Sequence, residues 1–227
     1  PLYRVLYECK KIISYSAHHQ KTVFVTNDGI AQGIGDNRNG EISGSLPNII
    51  LKKFTKINFC YSSKNYSVLS AVCGYNYTLY LIVKSDNSRL KHLAYSSSLF
   101  QSQYPIILDI GSSKPVTLFG GDTNCAAIDT NGEILYIKGT TKVEHISLPN
   151  NQKAINVACC DKFVVSLSST GQVYMSQNAL KLSFFEVKEL QGIKVSTIAG
   201  INEHCIAITK DNKVFVFGNC FYSDGRL

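Results

Sequence analysis

Tryptophan is absent from this 227-residue chain, which excludes a Trp-Asp repeat signature. Long apolar runs are absent as well. The longest clean stretch, near residues 78–83, is far short of the roughly 20 residues that cross a bilayer as a helix, so no membrane partner is expected. No Lys/Arg-led apolar leader with a small-residue cleavage site opens the sequence, and secretion is not expected. Methionine occurs once, at Met175, and the first residue is Pro1; the expectation is a trimmed piece of a longer protein. Acids are few and scattered, with no obvious pair for acid–base work. Eight cysteines at 9, 60, 73, 125, 159, 160, 205 and 220 contain no C-x-x-C pair. The histidines show no ligand spacing around them, which argues against zinc. No G-x-S-x-G elbow, P-loop, H-E-x-x-H or kinase-type signature occurs. The expectation is a protein with no catalytic residue, no metal and no cofactor.

What is present is globular. Hydrophobic residues make up 44% and charged residues 17%, enough apolar content to bury a sizeable core. Several cysteines lie inside apolar runs, where a reduced thiol behaves as a small hydrophobe. This points to a reducing compartment, the cytoplasm or the nucleus, in which the two Asn-x-Ser/Thr sequons are incidental. Lysine plus arginine outnumber acids 23 to 16, giving a formal +7. A solvated basic surface explains that balance, and a patch for acidic partners is the alternative. The basic clusters Lys10-Lys11 and Lys52-Lys53 with Lys56 are too short for a nucleic-acid arm.

The organising signal is a turn. At Asp28-Gly29, Asp86-Asn87, Asn131-Gly132, Thr170-Gly171 and Asp211-Asn212 an apolar run stops and another run begins. Gly and Asn accept positive φ at low cost, as a two-residue primed hairpin turn requires. Five uses of one turn read as five β-hairpins.

The hairpins repeat. Residues 120–132 align without a gap on residues 200–212, with Gly, Cys, Ala and Ile in register, and Ile134-Leu135-Tyr136-Ile137 then lies over Val214-Phe215-Val216-Phe217. The second turn positions are 58, 45, 39 and 41 residues apart. These steps are too long for a hexapeptide β-helix or a leucine-rich repeat, but they suit one propeller blade of about four short strands. A sheet sandwich also has many short strands, yet it has no reason to repeat one turn at near-constant spacing. Helical periodicity is poor; residues 176–190 could carry a short helix, and Phe184-Phe185-Glu186-Val187 reads equally well as an outer strand. The expected fold is all-β, a single β-propeller domain over 1–227 with about five blades or part-blades, continuing into a larger ring.

The repeat resembles that of the regulator of chromosome condensation family. The resemblance is clearest over 198–219: Ala199-Gly200, His204, an alternating strand, Asp211-Asn212, then Phe215-Val216-Phe217-Gly218-Asn219. The family's Gly-x-Asn-x-x-Gly-x-Leu loop is visible as Gly35-Asp36-Asn37-Arg38-Asn39-Gly40-Glu41-Ile42, and a longer version closes the chain from Gly218 to Leu227. The loop is missing after the second, third and fourth hairpins, and Asn124 and Phe163 replace the His in two copies. His204 is expected to brace a loop, and His18-His19 to be loop residues.

A rigid ring with loops of variable length is a platform for partners. The leading expectation is therefore a non-catalytic protein–protein interaction scaffold. Asn37, Arg38 and Asn39, with Phe221 and Tyr222, are the expected exposed contacts, since Arg and Tyr are favoured at interface hot spots. The resemblance implies an alternative, guanine-nucleotide exchange on a small GTPase, with no exchange residue transferable to this sequence. Chromatin or DNA association is a third, permitted by the +7.

Overall fold

A computed structural model describes residues 10–38, 40–42, 49–59, 66–84, 90–97, 102, 104–139, 141–176 and 182–218. Its contacts group into two compact units, Pro1–Leu118 with Gly139–Val143, and Phe119–Lys138 with Glu144–Leu227.

The first unit holds two antiparallel sheets whose strands pair in chain order. Sheet one contains β1 (Ile12–His18), β2 (Lys21–Thr26), β3 (Ala31–Asn37) and β4 (Ile49–Lys56). Sheet two contains β5 (Tyr66–Cys73), β6 (Tyr77–Lys84), β7 (Lys91–Ser97) and β8 (Ile106–Ile107). Alternate residues of β2, Val23 and Val25, meet Val68, Ala71, Tyr80 and Ile82 of sheet two in one buried cluster. Period-two alternation thus gives each small sheet an apolar face, and the two faces cover one another.

The second unit repeats this arrangement. Sheet three contains β9 (Pro115–Gly120, divided between the units), β10 (Cys125–Asp129), β11 (Ile134–Ile137) and β12 (Glu144–Ile146). Sheet four contains β13 (Ala154–Cys159), β14 (Val164–Ser168), β15 (Val173–Ser176) and β16 (Phe184–Glu186). Sheet five has three strands among the described residues, β17 (Val195–Ile201), β18 (His204–Thr209) and β19 (Val214–Gly218). Sheet four is covered on both faces. Val157, Cys159, Val164 and Tyr174 pack on sheet three, while Ala158, Val165, Leu167 and Val173 pack on sheet five. Every residue of β14 is accordingly buried. Each large aliphatic side chain so buried contributes about 1.5–3 kcal/mol. Of the 176–190 segment, residues 182–190 carry an outer strand, β16, followed by a single 3-10 turn at Lys188–Leu190, and residues 177–181 lie outside the described residues.

The repeated hairpins are present, but their turn differs from expectation. In each of the four hairpins described, the ladder closes around a three-residue loop. Thr26 N–H bonds to Ile30 O, Asp129 to Glu133, Ser168 to Gln172 and Thr209 to Lys213, at 2.9–3.0 Å. Only the last loop residue has positive φ: Gly29 at 78°, Gly132 at 82°, Gly171 at 85° and Asn212 at 63°. This is a β-turn followed by one left-handed residue in a bulge, whereas the primed two-residue turn needs positive φ twice. The β-branched Thr170 is therefore unstrained. The residue before each loop is buried and caps it; Thr26 and Thr209 donate to Asp28 and Asp211 at 2.5 Å, and Asp129 Oδ1 accepts from the N–H groups of Asn131 and Glu133. The hairpin expected at Asp86-Asn87 lies outside the described residues.

Candidate partner-binding cleft

The motif loop after β3 is built by its neighbours. Gly35 has φ of 108°, and a Cβ there would lie 2.0 Å from the Gln20 carbonyl; glycine alone lets β3 approach the β1–β2 turn so closely. Asp36 N–H then bonds to that carbonyl at 2.8 Å. Three hydroxyls of sheet two hold the far side. Ser96 donates to the carbonyl of Gly40, Thr78 to that of Glu41 and Tyr80 to that of Ile42, each at 2.7 Å. Burial pushes the Tyr80 phenol well above its ordinary pKa, so it stays a donor.

Within this loop the expected contacts separate. Asn37 is fully buried, and its Oδ1 accepts the Ile42 N–H at 2.8 Å. Its expected exposure does not hold, because the side chain is spent closing the loop. Arg38 points outward with its side chain 60% exposed. Its Nε donates to both Asp36 oxygens at 3.0 and 3.1 Å, and its Nη2 to Oδ2 at 2.6 Å. Those hydrogen bonds, opposed by desolvation and aided by the guanidinium charge, hold the Asp36 carboxyl below its ordinary range. With both oxygens engaged, Asp36 is an ion-pair residue rather than a free base. Asn39, Phe221 and Tyr222 lie outside the described residues.

Arg38 stands beside a cleft of about 170 Å³ whose lining includes His18, His19, Lys21, Asp36, Glu41 and Tyr75. That volume is well below the roughly 300–1,000 Å³ of small-molecule and cofactor pockets. Lys21 is only 4% exposed. Its Nζ donates to the Tyr75 carbonyl at 2.8 Å and so ties sheet one to the β5–β6 turn. The Tyr75 side chain remains outside, 57% exposed, with its ring edge-on to His19 at 4.7 Å. His19 in turn lies 4.7 Å from His18. Lys21, Asp36 and Tyr75 were not among the expected contacts. The Asp-x-Arg spacing and the Gly74-Tyr75-Asn76 turn were the signals available in the sequence.

At the position of the repeat's His, Asn124 is fully buried and its amide donates to the Cys160 carbonyl at 2.9 Å. That position braces one sheet against the next. His204 begins β18 half-buried, and its carbonyl accepts the Cys160 thiol at 3.4 Å.

No protein-family model matches the chain, and no curated protein matches it. Solved structures do. Human WBSCR16 superposes with a TM-score of 0.73 at 14% identity, over 92% of this chain and 62% of that one. Prp20p from Saccharomyces cerevisiae, which has binding properties to Gsp1p and histones, gives 0.69 at 14% identity over 95% and 60%. The ectodomain of the Physcomitrella patens receptor kinase CR4 gives 0.62 at 11% identity over 96% and 56%. The chain thus spans about 60% of the length of these structures. The identities speak for the fold alone: antiparallel sheets of the β-propeller class, similar to those of WBSCR16 and Prp20p.

Proposed function

We propose that this propeller is a non-catalytic protein-binding module and that the cleft beside Arg38 is its contact site. One observation carries the proposal: a salt-bridged, outward-pointing Arg38 and a half-exposed Tyr75 flank one small cleft. Arg and Tyr are the side chains that most often anchor interfaces, and an Arg already fixed by a carboxylate loses little entropy on binding. Asn39, Phe221 and Tyr222 belong to the proposal as further contacts. The likeness to Prp20p, a protein that binds Gsp1p and histones, supports a protein partner. The proposal goes with a cytoplasmic or nuclear setting in which thiols stay reduced.

The test is affinity capture from a cell extract with wild type, Arg38→Ala and Tyr75→Ala, followed by quantitation of each captured protein. At least one specific partner should fall about tenfold or more in both variants, as expected of hot-spot truncation, with circular dichroism unchanged. Partners retained equally by both variants would remove the cleft from consideration.

A second function, guanine-nucleotide exchange on a small GTPase, is favoured by the same likeness to a protein that binds Gsp1p. Acceleration of nucleotide release across a panel of small GTPases would support it. The +7 charge and the histone binding of Prp20p keep chromatin association as a further partner class. Steep loss of binding with added salt would mark that electrostatic mode.

A further inference from the structure

Sheets four and five are clamped at one end by their strand-connecting loops. Asp161 N–H donates to the Asn202 carbonyl at 2.6 Å, and Lys162 pairs with Glu203 at 2.5 Å. Between these contacts and the core, Cys160 lies directly over Gly200: a Cβ there would stand 2.7 Å from the Cys160 sulfur. Gly200 is the cross-strand partner of Cys205. Cys160 and Cys205 sit in the same apolar cluster, 0% and 1% exposed. The Cys160 thiol donates to the carbonyl of His204, the residue before Cys205, at 3.4 Å, and the Cys205 thiol donates to the Ile206 carbonyl at 3.6 Å. Cys159 is committed elsewhere. Period-two alternation turns it to the opposite face, into the cluster shared with sheet three.

We propose that Cys160 and Cys205 are a latent modification site, a thiol pair that a small-molecule disulfide converts into a covalent tie between sheets four and five. The chemistry balances as two exchanges. One cysteine, losing its proton, attacks a sulfur of the oxidant and releases one R–SH. The second cysteine, losing its proton, then attacks the protein sulfur of the mixed disulfide, forms the Cys160–Cys205 bond and releases a second R–SH. The protein loses two hydrogens and two electrons, and the oxidant becomes two thiols. Because Gly200 brings no side chain between the strands and the loops are already tied, the sulfurs need little backbone movement to join. The bond would close a loop of about 45 residues, which restricts the unfolded chain and raises stability. This site is independent of the cleft beside Arg38.

The probe is dithiodipyridine, a small apolar disulfide, applied to the reduced, folded protein just below its melting transition, where loop opening admits the reagent. Non-reducing peptide mapping should find Cys160 joined to Cys205. The oxidised protein should melt about 5–10 °C higher. Cys160→Ala and Cys205→Ala should each abolish the cross-link and the shift, and Cys159→Ala should abolish neither. A cross-link through Cys159 or Cys125, mixed disulfides without ring closure, or no cross-link at that temperature would each overturn the proposal. Where an alanine variant melts far below wild type, Cys205→Ser read only for cross-linked peptide keeps the mapping decisive.

Discussion

The Gly132 carbonyl accepts the Ala154 N–H at 3.0 Å and joins the hairpin turn of sheet three to the first strand of sheet four. The same bond recurs from Val68 to Gly29 at 2.8 Å and from Val195 to Gly171 at 3.0 Å. In all three cases the donor stands where its strand's register shifts, at Val68/Ser70, Ala154/Asn156 and Val195/Thr197. One bulge and one turn therefore form a repeated joint that sets each sheet against its predecessor within a unit. The turn glycine serves both sides, since it takes the left-handed conformation and also lets the next strand come close.

That double demand can be separated by mutation. Gly111 and Gly132 both have positive φ, but a Cβ on Gly111 meets nothing, whereas one on Gly132 would lie 2.6 Å from Lys153 Cβ and 2.8 Å from its Cα. Gly111→Ala should cost about 1–2 kcal/mol from backbone conformation alone. Gly132→Ala adds a steric conflict worth roughly 1–3 kcal/mol more. Urea denaturation of both variants measures the difference, and equal losses would show that the joint tolerates the extra methyl.

The turn of this joint is legible in the sequence, and the bulge and the bond to the next sheet are not. Spacing alone locates the four described hairpins because Gly or Asn stands where φ is positive. The same residues point to a primed turn, although Thr170 carries the contrary signal: a β-branched side chain avoids the first position of a primed turn. The cleft was less legible. Asn37 looked like a surface residue because the hydroxyls that bury its loop, from Thr78, Tyr80 and Ser96, come from strands of the next sheet. Lys21 looked like any basic surface residue, yet its ammonium is enclosed between two sheets. Such placements depend on sheet stacking, and no local pattern in a single sequence encodes them.

The loop's dependence on sheet two gives a second prediction. Tyr80→Phe keeps the ring, including its edge-on contact with Phe59 at 5.0 Å, and removes only the donor to the Ile42 carbonyl. A buried acceptor left unsatisfied costs about 1–3 kcal/mol. Tyr15→Phe, on a side chain 80% exposed, should fall within about 0.5 kcal/mol of wild type. Thermal melts of the pair check this, and a neutral Tyr80→Phe would mean that water or another donor replaces the hydroxyl.

The two faces of sheet five supply the third. Leu167 is 1% exposed in the cluster between sheets four and five, so Leu167→Ala should cost about 2–5 kcal/mol. Val216 lies on the opposite face of sheet five, 57% exposed, and Val216→Ala should change stability by no more than about 0.5 kcal/mol. Chemical denaturation of the two variants reads both values. A large loss at Val216 would show that this face is covered in solution.

Acid titration tests the Asp36–Arg38 pair. Hydrogen bonds from Arg38 lower the folded-state pKa of Asp36 below the ordinary value of 3.8. A carboxyl depressed by folding contributes stability that is fully present above its unfolded pKa and is lost as pH falls through the folded one. The pair's contribution should therefore be constant from neutrality down to about pH 4 and disappear below it. Arg38 is largely exposed, and solvent screening should keep the pair's contribution small. Arg38→Ala should return the Asp36 carboxyl toward 3.8, as carbon-13 NMR of the carboxyl would record. It should also flatten the stability profile below pH 4 relative to wild type. Because Arg38 is held in place by Asp36, Asp36→Asn should weaken the proposed partner with folding intact, by freeing the guanidinium to sample many rotamers. An unchanged Asp36 titration in Arg38→Ala would mean that the two side chains part in solution, and the cleft would then lose its fixed cation.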